Sequence, residues 1–317
     1  MIAKQAGMMD KQAKAATAWE NPLIPNARRR QIYRAITQAR ALAQAMPAAK
    51  RGLTLGLEAC LVSTAVDLGP GDLVSDALAG GVVDYLRGTA LGEVLRAEQS
   101  KASRKRVRSG AASSVAARLA APPGVAERIW AALGAAAALK AATAQARIEA
   151  QSTVKDKAEA SATESATAAR QAGAVVVYAL AGEVPAALWK KALRFAAEQE
   201  LPVVFVVLPA ARARGGRAKT GGVSALALGC GVPAMVVDAD DAVAIYRVAQ
   251  ESIGHARIGG GTALMECVPF VLVGSASKAR ETEDAIAGLE RTMLQRGVAS
   301  SAWMEREAKS FARQVAR

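Results

Sequence analysis

The side chains that could do chemistry are few and scattered. His255 is the single histidine among 317 residues, and it stands two positions before Arg257. A catalytic imidazole needs a second group to fix its tautomer, and the neighbouring sequence supplies none. Cys60, Cys230 and Cys267 are an odd number without close spacing, which argues against a disulfide framework or a zinc site. Asp238, Asp240 and Asp241 could attract a cation, but they stand where a helix begins, and its unpaired N–H groups account for them. Glu58 falls in an apolar helical stretch, where a carboxylate needs a hydrogen-bonding partner and so reads as structural. Glycines at 215–216, 221–222 and 259–261 form neither a dinucleotide fingerprint after a strand nor a phosphate-binding loop, and no G-x-S-x-G elbow occurs. From residue types alone, no catalytic residue and no metal ligand is assigned.

The elements that would position a site are easier to read. Ala174 to Tyr178 and Val204 to Val207 are short apolar β-branched runs. Between them Leu188, Ala192, Phe195 and Ala196 recur at helical spacing, with Lys190, Lys191, Arg194, Glu198 and Gln199 opposite. Pro202 stops this helix and opens the second strand. Two such strands joined by a helix predict a right-handed crossover in a buried parallel sheet, with the ligand site beyond the strand carboxyl ends. Those ends are Leu180-Ala181-Gly182-Glu183 and Leu208-Pro209-Ala210.

Elsewhere, a helix after Pro22–Asn26 places Ile32, Ile36, Leu42 and Met46 on one side, and Gly52–Leu68 reads as a second, buried helix. Leu73-Val74 is a candidate strand after the Gly69-Pro70-Gly71-Asp72 turn, and Val82–Leu95 reads as helix. Gly124–Arg147 is alanine-rich helix, one or two, and its face around Val125–Leu139 is a candidate partner contact as much as an internal one. Ala225–Leu228 reads as a short helix, Ala234–Val237 as a strand, Ala242–Ala256 as a helix and Thr262–Leu272 as a further strand. Two amphipathic helices follow Glu281, with Ile286, Leu289 and Leu294 on the inner side of the first. Residues 1–20 read as a flexible lead-in to a domain spanning 21–317, with a basic loop at 101–114 and a low-complexity segment at 149–170.

Bulk properties exclude some function classes. The net charge is +13 with a pI near 10.0, so an acidic partner or surface has to be considered. The basic run Lys101–Arg108 lacks interleaved aromatics and any known nucleic-acid motif, so a solvated loop is the simpler reading and nucleic acid is not the expected partner. No apolar run reaches membrane-spanning length and the N-terminal residues lack a secretory core, so a cytoplasmic location is expected.

The order of several segments resembles one family. Gly56-Leu57-Glu58-Ala59-Cys60 is similar to a GQEA segment, and Pro70-Gly71-Asp72 follows it. Ala192-Leu193-Arg194-Phe195-Ala196-Ala197 with Leu201-Pro202-Val203-Val204-Phe205-Val206 is similar to ALNFAA…LPVVFV. Gly231-Val232-Pro233 through Val237-Asp238, Asp241 and Tyr246, and Gly261 to Glu266, extend the match. In these segments the chain resembles the α subunit of thiamine-diphosphate-dependent 2-oxo acid dehydrogenases, the E1 component of the pyruvate, branched-chain and acetoin enzymes. The resemblance implies an α/β, three-layer thiamine-diphosphate-binding-type fold with a mostly parallel sheet flanked by helices. It also implies an oligomer with an E1-β-type subunit and an E2-containing complex, with thiamine diphosphate and Mg²⁺ as cofactors where activity is retained.

The same resemblance places the cofactor residues, and there the sequence departs from it. The magnesium-binding aspartate of the family's GDG motif falls on Ala181, and the asparagine ligand falls on Ala210. Gly182 alone matches the motif, as a residual cofactor-binding position. A Tyr-Arg pair and a histidine of the family fall on Leu78, Ala79 and Gly81, and a loop histidine falls on Ser275. Mg²⁺ takes hard oxygen ligands, which a methyl group cannot supply. Glu183 is the carboxylate that could take over from the lost aspartate. The reading is therefore an E1-α-like chain that is catalytically impaired or non-catalytic, with a structural or regulatory role. An active 2-oxo acid decarboxylating subunit and a polyanion binder working through the basic loops are the alternatives, so enzymatic status stays open.

Overall fold

This computed structural model describes residues 23–46, 55–75, 80–99, 119, 124–154, 172–210, 222–269 and 284–316. The basic loop at 101–114, the lead-in at 1–20 and most of the low-complexity segment lie outside them.

Within these residues five strands form one parallel sheet in the order β1-β2-β3-β5-β4. They are β1 Leu73–Ser75, β2 Val175–Leu180, β3 Val203–Leu208, β4 Ala234–Asp238 and β5 Ala263–Val268. The central strands β2 and β3 are apolar along their whole length, and β5 is so except for Glu266, because both faces are covered, as parallel sheets require. Val176, Tyr178, Val204, Val206, Leu208, Met265 and Cys267 point to one face, where they join α1 (Asn26–Ala45), α2 (Glu58–Ala65) and α8 (Ala242–Arg257). Val175, Val177, Ala179, Val203, Phe205, Val207 and Leu264 point to the other, against α5 (Val125–Val154), α6 (Ala186–Glu198) and α7 (Gly222–Leu228). The layering is the three-layer α/β arrangement that the resemblance implied.

The remaining helices are α3 (Gly80–Leu86), α4 (Leu91–Gln99), α9 (Ala285–Gln295) and α10 (Ser301–Val315). The arginine stripe of α1 fastens the C-terminal pair. Arg30 donates to the Val298 carbonyl at 2.7 Å, Arg34 pairs with Glu307 at 2.9 Å and stacks over Trp303, and Arg40 bridges Glu58 and Asp284. At the amino ends of β1 and β2, the buried Asp72 carboxylate accepts from the Ala174 and Gly69 N–H groups and pairs with Arg257. Gly173 passes so close to Gly71 that a Cβ there would sit inside the Gly71 carbonyl.

Several expectations are corrected. The second helix is Glu58–Ala65 rather than Gly52–Leu68, because Gly56 takes a left-handed φ of 86° and donates its N–H to Glu58, and Val66-Asp67 form a turn. Residues 82–95 are two helices, split where Gly88 adopts φ 101°. The alanine-rich segment is one continuous helix to Val154. The last strand spans Ala263–Val268, with Thr262 before it and Pro269, which has no N–H to extend the ladder, after it; 270–272 of the expected strand lie outside the described residues. On α6 the buried side is Trp189, Ala192, Leu193 and Ala196, while Phe195 turns outward onto Trp130 of α5. On α9 Leu289 is buried with Ala285 and Met293, and Leu294 is exposed.

Candidate functional site at the strand carboxyl ends

The chain leaves β3 toward α7 on one face and leaves β5 toward α9 on the other. The crevice at a topological switch point therefore opens between the carboxyl ends of these neighbouring strands, with β2 beside β3. Leu180 and Leu208 are register partners, and the Ala181 N–H continues the ladder by donating to the Leu208 carbonyl at 2.8 Å. The fold thus brings the two positions singled out in the sequence, Ala181 and Ala210, to adjacent strand ends. Ala181 is half-buried and Ala210 is exposed.

Gly182 tightens the turn after β2. Its φ of 82° favours glycine, and a Cβ built there meets nothing within 4 Å. Backbone conformation, and no close contact, is therefore what this glycine supplies. The Glu183 N–H donates to the Leu180 carbonyl at 3.0 Å, and one Glu183 carboxylate oxygen accepts the Leu180 N–H at 3.0 Å. The other oxygen accepts from the Arg128 guanidinium at 2.5 Å. Arg128, in the first turns of α5, is 6% exposed, and the Glu183 side chain is 24% exposed. Both oxygens of this carboxylate are thus held by the protein.

Across the crevice Glu266 of β5 is buried. One of its oxygens accepts from the Ser224 N–H at 2.9 Å and also from the Ser224 hydroxyl, so it ties β5 to the first turn of α7. Gly81 lies buried in α3, while Leu78, Ala79 and Ser275 lie outside the described residues. Asp241 is the N-cap of α8 and accepts from Val243 N at 3.0 Å and Ala244 N at 2.9 Å, as its position before the helix predicted. Glu58 has the structural role expected of it, paired with Arg40 and accepting the Gly56 N–H.

His255 is half-buried in the last turn of α8, with its ring against Gly260 and its Nε2 without a hydrogen-bond partner. Sequence spacing missed one pairing. Cys60 of α2 and Cys267 of β5 meet in the core, where a thiol hydrogen bond with Cys267 and burial push the Cys60 thiol up. All three cysteines are free thiols. A buried thiol pushed up in this way, as Cys60 is, is inert as a ligand or nucleophile.

A resident Mg²⁺ site would need converging hard oxygens. At the β2 and β3 ends the side chains are Leu180, Ala181, Leu208, Pro209 and Ala210, and the adjacent carboxylate is occupied by Arg128. Among the described residues no three His, Cys, Asp or Glu side chains converge as a metal site would require. These residues do not fit the group.

The sequence matches the family model for the dehydrogenase E1 component over residues 30–317. The chain belongs to that family. Within it the chain is of the 2-oxo acid dehydrogenase E1 α type, as the order of its segments implied. Comparison with curated proteins finds no match. Among the described residues, no helix of this E1 chain is long and apolar enough to cross a membrane.

Proposed function

We propose that this E1-type α chain is non-catalytic, or strongly impaired, and acts as a structural or regulatory subunit of an E1-type assembly. The observation that carries this reading is the chemistry of the strand ends. Where the family resemblance places oxygen ligands, the strand ends carry Ala181 and Ala210, whose side chains hold no oxygen. The one neighbouring carboxylate, Glu183, is neutralised by Arg128. Without a metal, the diphosphate of a thiamine cofactor would meet an apolar rim, and a dianion is costly to desolvate there. In this reading Gly182 is a remnant of the cofactor turn, and no residue is assigned a catalytic role.

The sheet, the α1 arginine fasteners and the core on both faces are intact, so what was given up is the site and not the fold. Members of this family pair with a β-type subunit, and we take such a subunit, within an E2-containing complex, as the partner. The working location is the cytoplasm. Reconstitution with a β-type chain, assayed for decarboxylation of pyruvate and branched-chain 2-oxo acids with thiamine diphosphate and Mg²⁺, tests the reading. It expects no turnover above that of the β-type chain. Turnover that depends on both chains would establish an active subunit instead.

A second reading has one specific observation behind it. Of 41 Lys and Arg and 28 Asp and Glu in the chain, the described residues carry 20 of each. The whole +13 excess, 21 cations against 8 acids, therefore falls outside the described body. Six of these cations lie in 101–118 and four in 211–221, with no acid in either stretch. A polyanion binder working through those stretches would lose affinity steeply as salt rises. Binding of heparin that is indifferent to salt, or absent, would remove it.

A further inference from the structure

The two edges of the sheet are finished differently. β1 has three residues, and its outer side is met by the Leu119 N–H, which donates to the Val74 carbonyl at 3.0 Å. β4 has five, and among the described residues nothing pairs with the outer side of Ala234 and Val236. The Leu264 N–H donates to the Pro233 carbonyl and the Ala239 N–H to the Val268 carbonyl. Alternate residues of a parallel ladder bond to the same neighbour, so Met235 and Val237 also face β5, and the N–H and C=O groups of Ala234 and Val236 point away from it. Val236, at the middle of the strand, is 45% exposed. Proteins blunt a free edge with lysine, proline or a bulge, and β4 carries none of these. Outward donors and acceptors in a row take one kind of occupant, another extended strand.

The strand that fits is β4 of a second copy. Antiparallel pairing about a two-fold axis at Val236 lets that residue exchange both of its hydrogen bonds with its own copy, and sets Ala234 opposite Asp238. Asp240 and Asp241 then stand opposite Val232 and Gly231, so the acids at the carboxyl end of one β4 meet no charge on the other. The helix above the edge fits as well. α7 packs on both β4 and β5, so edge pairing places the two α7 helices on one face of the joined sheet, about two strand spacings or ~9–10 Å apart. That is the distance at which helices pack. α7 holds no charged side chain, and its exposed positions are Gly222, Ala225 and Leu228, the last 61% exposed.

From this edge we infer that the chain forms a two-fold dimer in which β4 pairs antiparallel with β4 of a second copy, joining two sheets into one. The inference goes beyond the assembly role proposed above and stands without it, because the dimer is sought in the isolated protein and involves no cofactor.

Sedimentation of the full-length protein tests it. A concentration-dependent species of twice 32.6 kDa is expected. Val236→Pro removes the outward N–H at a position where an edge strand tolerates proline. Symmetry removes two hydrogen bonds at once, so the dissociation constant should rise about tenfold or more. Val236→Lys sets two ammonium groups opposite each other on the axis and should also weaken the dimer, while leaving the backbone donors in place. Circular dichroism of both variants verifies folding. A protein that stays monomeric at every concentration, or a dimer whose affinity Val236→Lys leaves unchanged, overturns the inference. So does a monomer that associates only with a β-type E1 chain and loses that association in Val236→Lys, because the occupant of the edge is then that chain.

Discussion

Replacing Glu183 by glutamine separates a structural carboxylate from a metal ligand. In the fold one oxygen holds the Leu180 N–H at 3.0 Å and the other holds Arg128, whose side chain has 7% of its surface exposed. A glutamine offers one acceptor where two are needed, and turns its own N–H₂ toward either a backbone donor or a guanidinium. Breaking a fully buried ion pair costs about 3–5 kcal/mol. The 24% exposure of the Glu183 side chain lets water reach the site, which moves the expected cost to about 2–3 kcal/mol. For a chain of this length that corresponds to a fall in Tm of about 3–4 °C.

Arg128→Met should cost less, about 1–2 kcal/mol, because a partly exposed carboxylate can hydrate. The double variant should be about as stable as Arg128→Met alone, giving a coupling of about 2–3 kcal/mol, the whole cost of Glu183→Gln, between the two positions. Urea unfolding of the four proteins measures this, and Mg²⁺ should leave all four curves in place. Glu183→Gln within about 0.5 kcal/mol of the parent would refute the pairing. So would a wild-type protein that Mg²⁺ stabilises while Glu183→Gln does not respond, since that behaviour belongs to a ligand.

Two further outcomes follow from the packing and the titrating groups. Gly173→Ala should destabilise by about 2–3 kcal/mol, at the upper end for overpacking, because the new methyl collides with the Gly71 carbonyl and β1 must shift; thermal unfolding checks it. Burial and the 2.6 Å hydrogen bond to Asp67 push the Tyr246 phenol up to about 12 from an ordinary 10, and burial also raises Tyr33 and Tyr85. A raised phenol stabilises the fold fully below pH 10 and loses that contribution as pH climbs through 12. Absorbance titration near 295 nm should therefore show late tyrosinate formation in the folded protein, and Tyr246→Phe should remove part of the loss of stability above pH 10. A phenolate signal complete by pH 10 would contradict this.

The β2-α6-β3 unit was legible because parallel strands covered on both faces are continuous apolar runs, and because Pro202 marks a boundary that backbone chemistry enforces. Asp241 was legible as a cap for the same local reason. What local reasoning missed depends on residues far apart in the chain. Helical spacing put Phe195 in the core, but Trp130 offers it an edge-on contact outside, and Trp189 takes the interior place against Phe205. The break at Gly88 follows from a backbone conformation, which composition does not announce. At the crevice, Ala181, Gly182 and Ala210 could be placed at strand ends from the sequence. The pairing of Glu183 with Arg128, 55 residues away, could not. Nor could the meeting of Cys60 and Cys267, which lie on a helix and a strand of opposite ends of the chain.

Isothermal titration calorimetry with thiamine diphosphate and Mg²⁺, on the full-length protein alone and mixed with a β-type E1 chain, tests the central claim most directly. Both conditions are needed because a site shared between chains would be incomplete in either one. Strand ends that carry Ala181 and Ala210, with Glu183 held by Arg128, predict no magnesium-dependent heat from this chain and none added by it to the mixture. Tight magnesium-dependent binding that requires this chain would contradict the account and return it to the working dehydrogenases of its family.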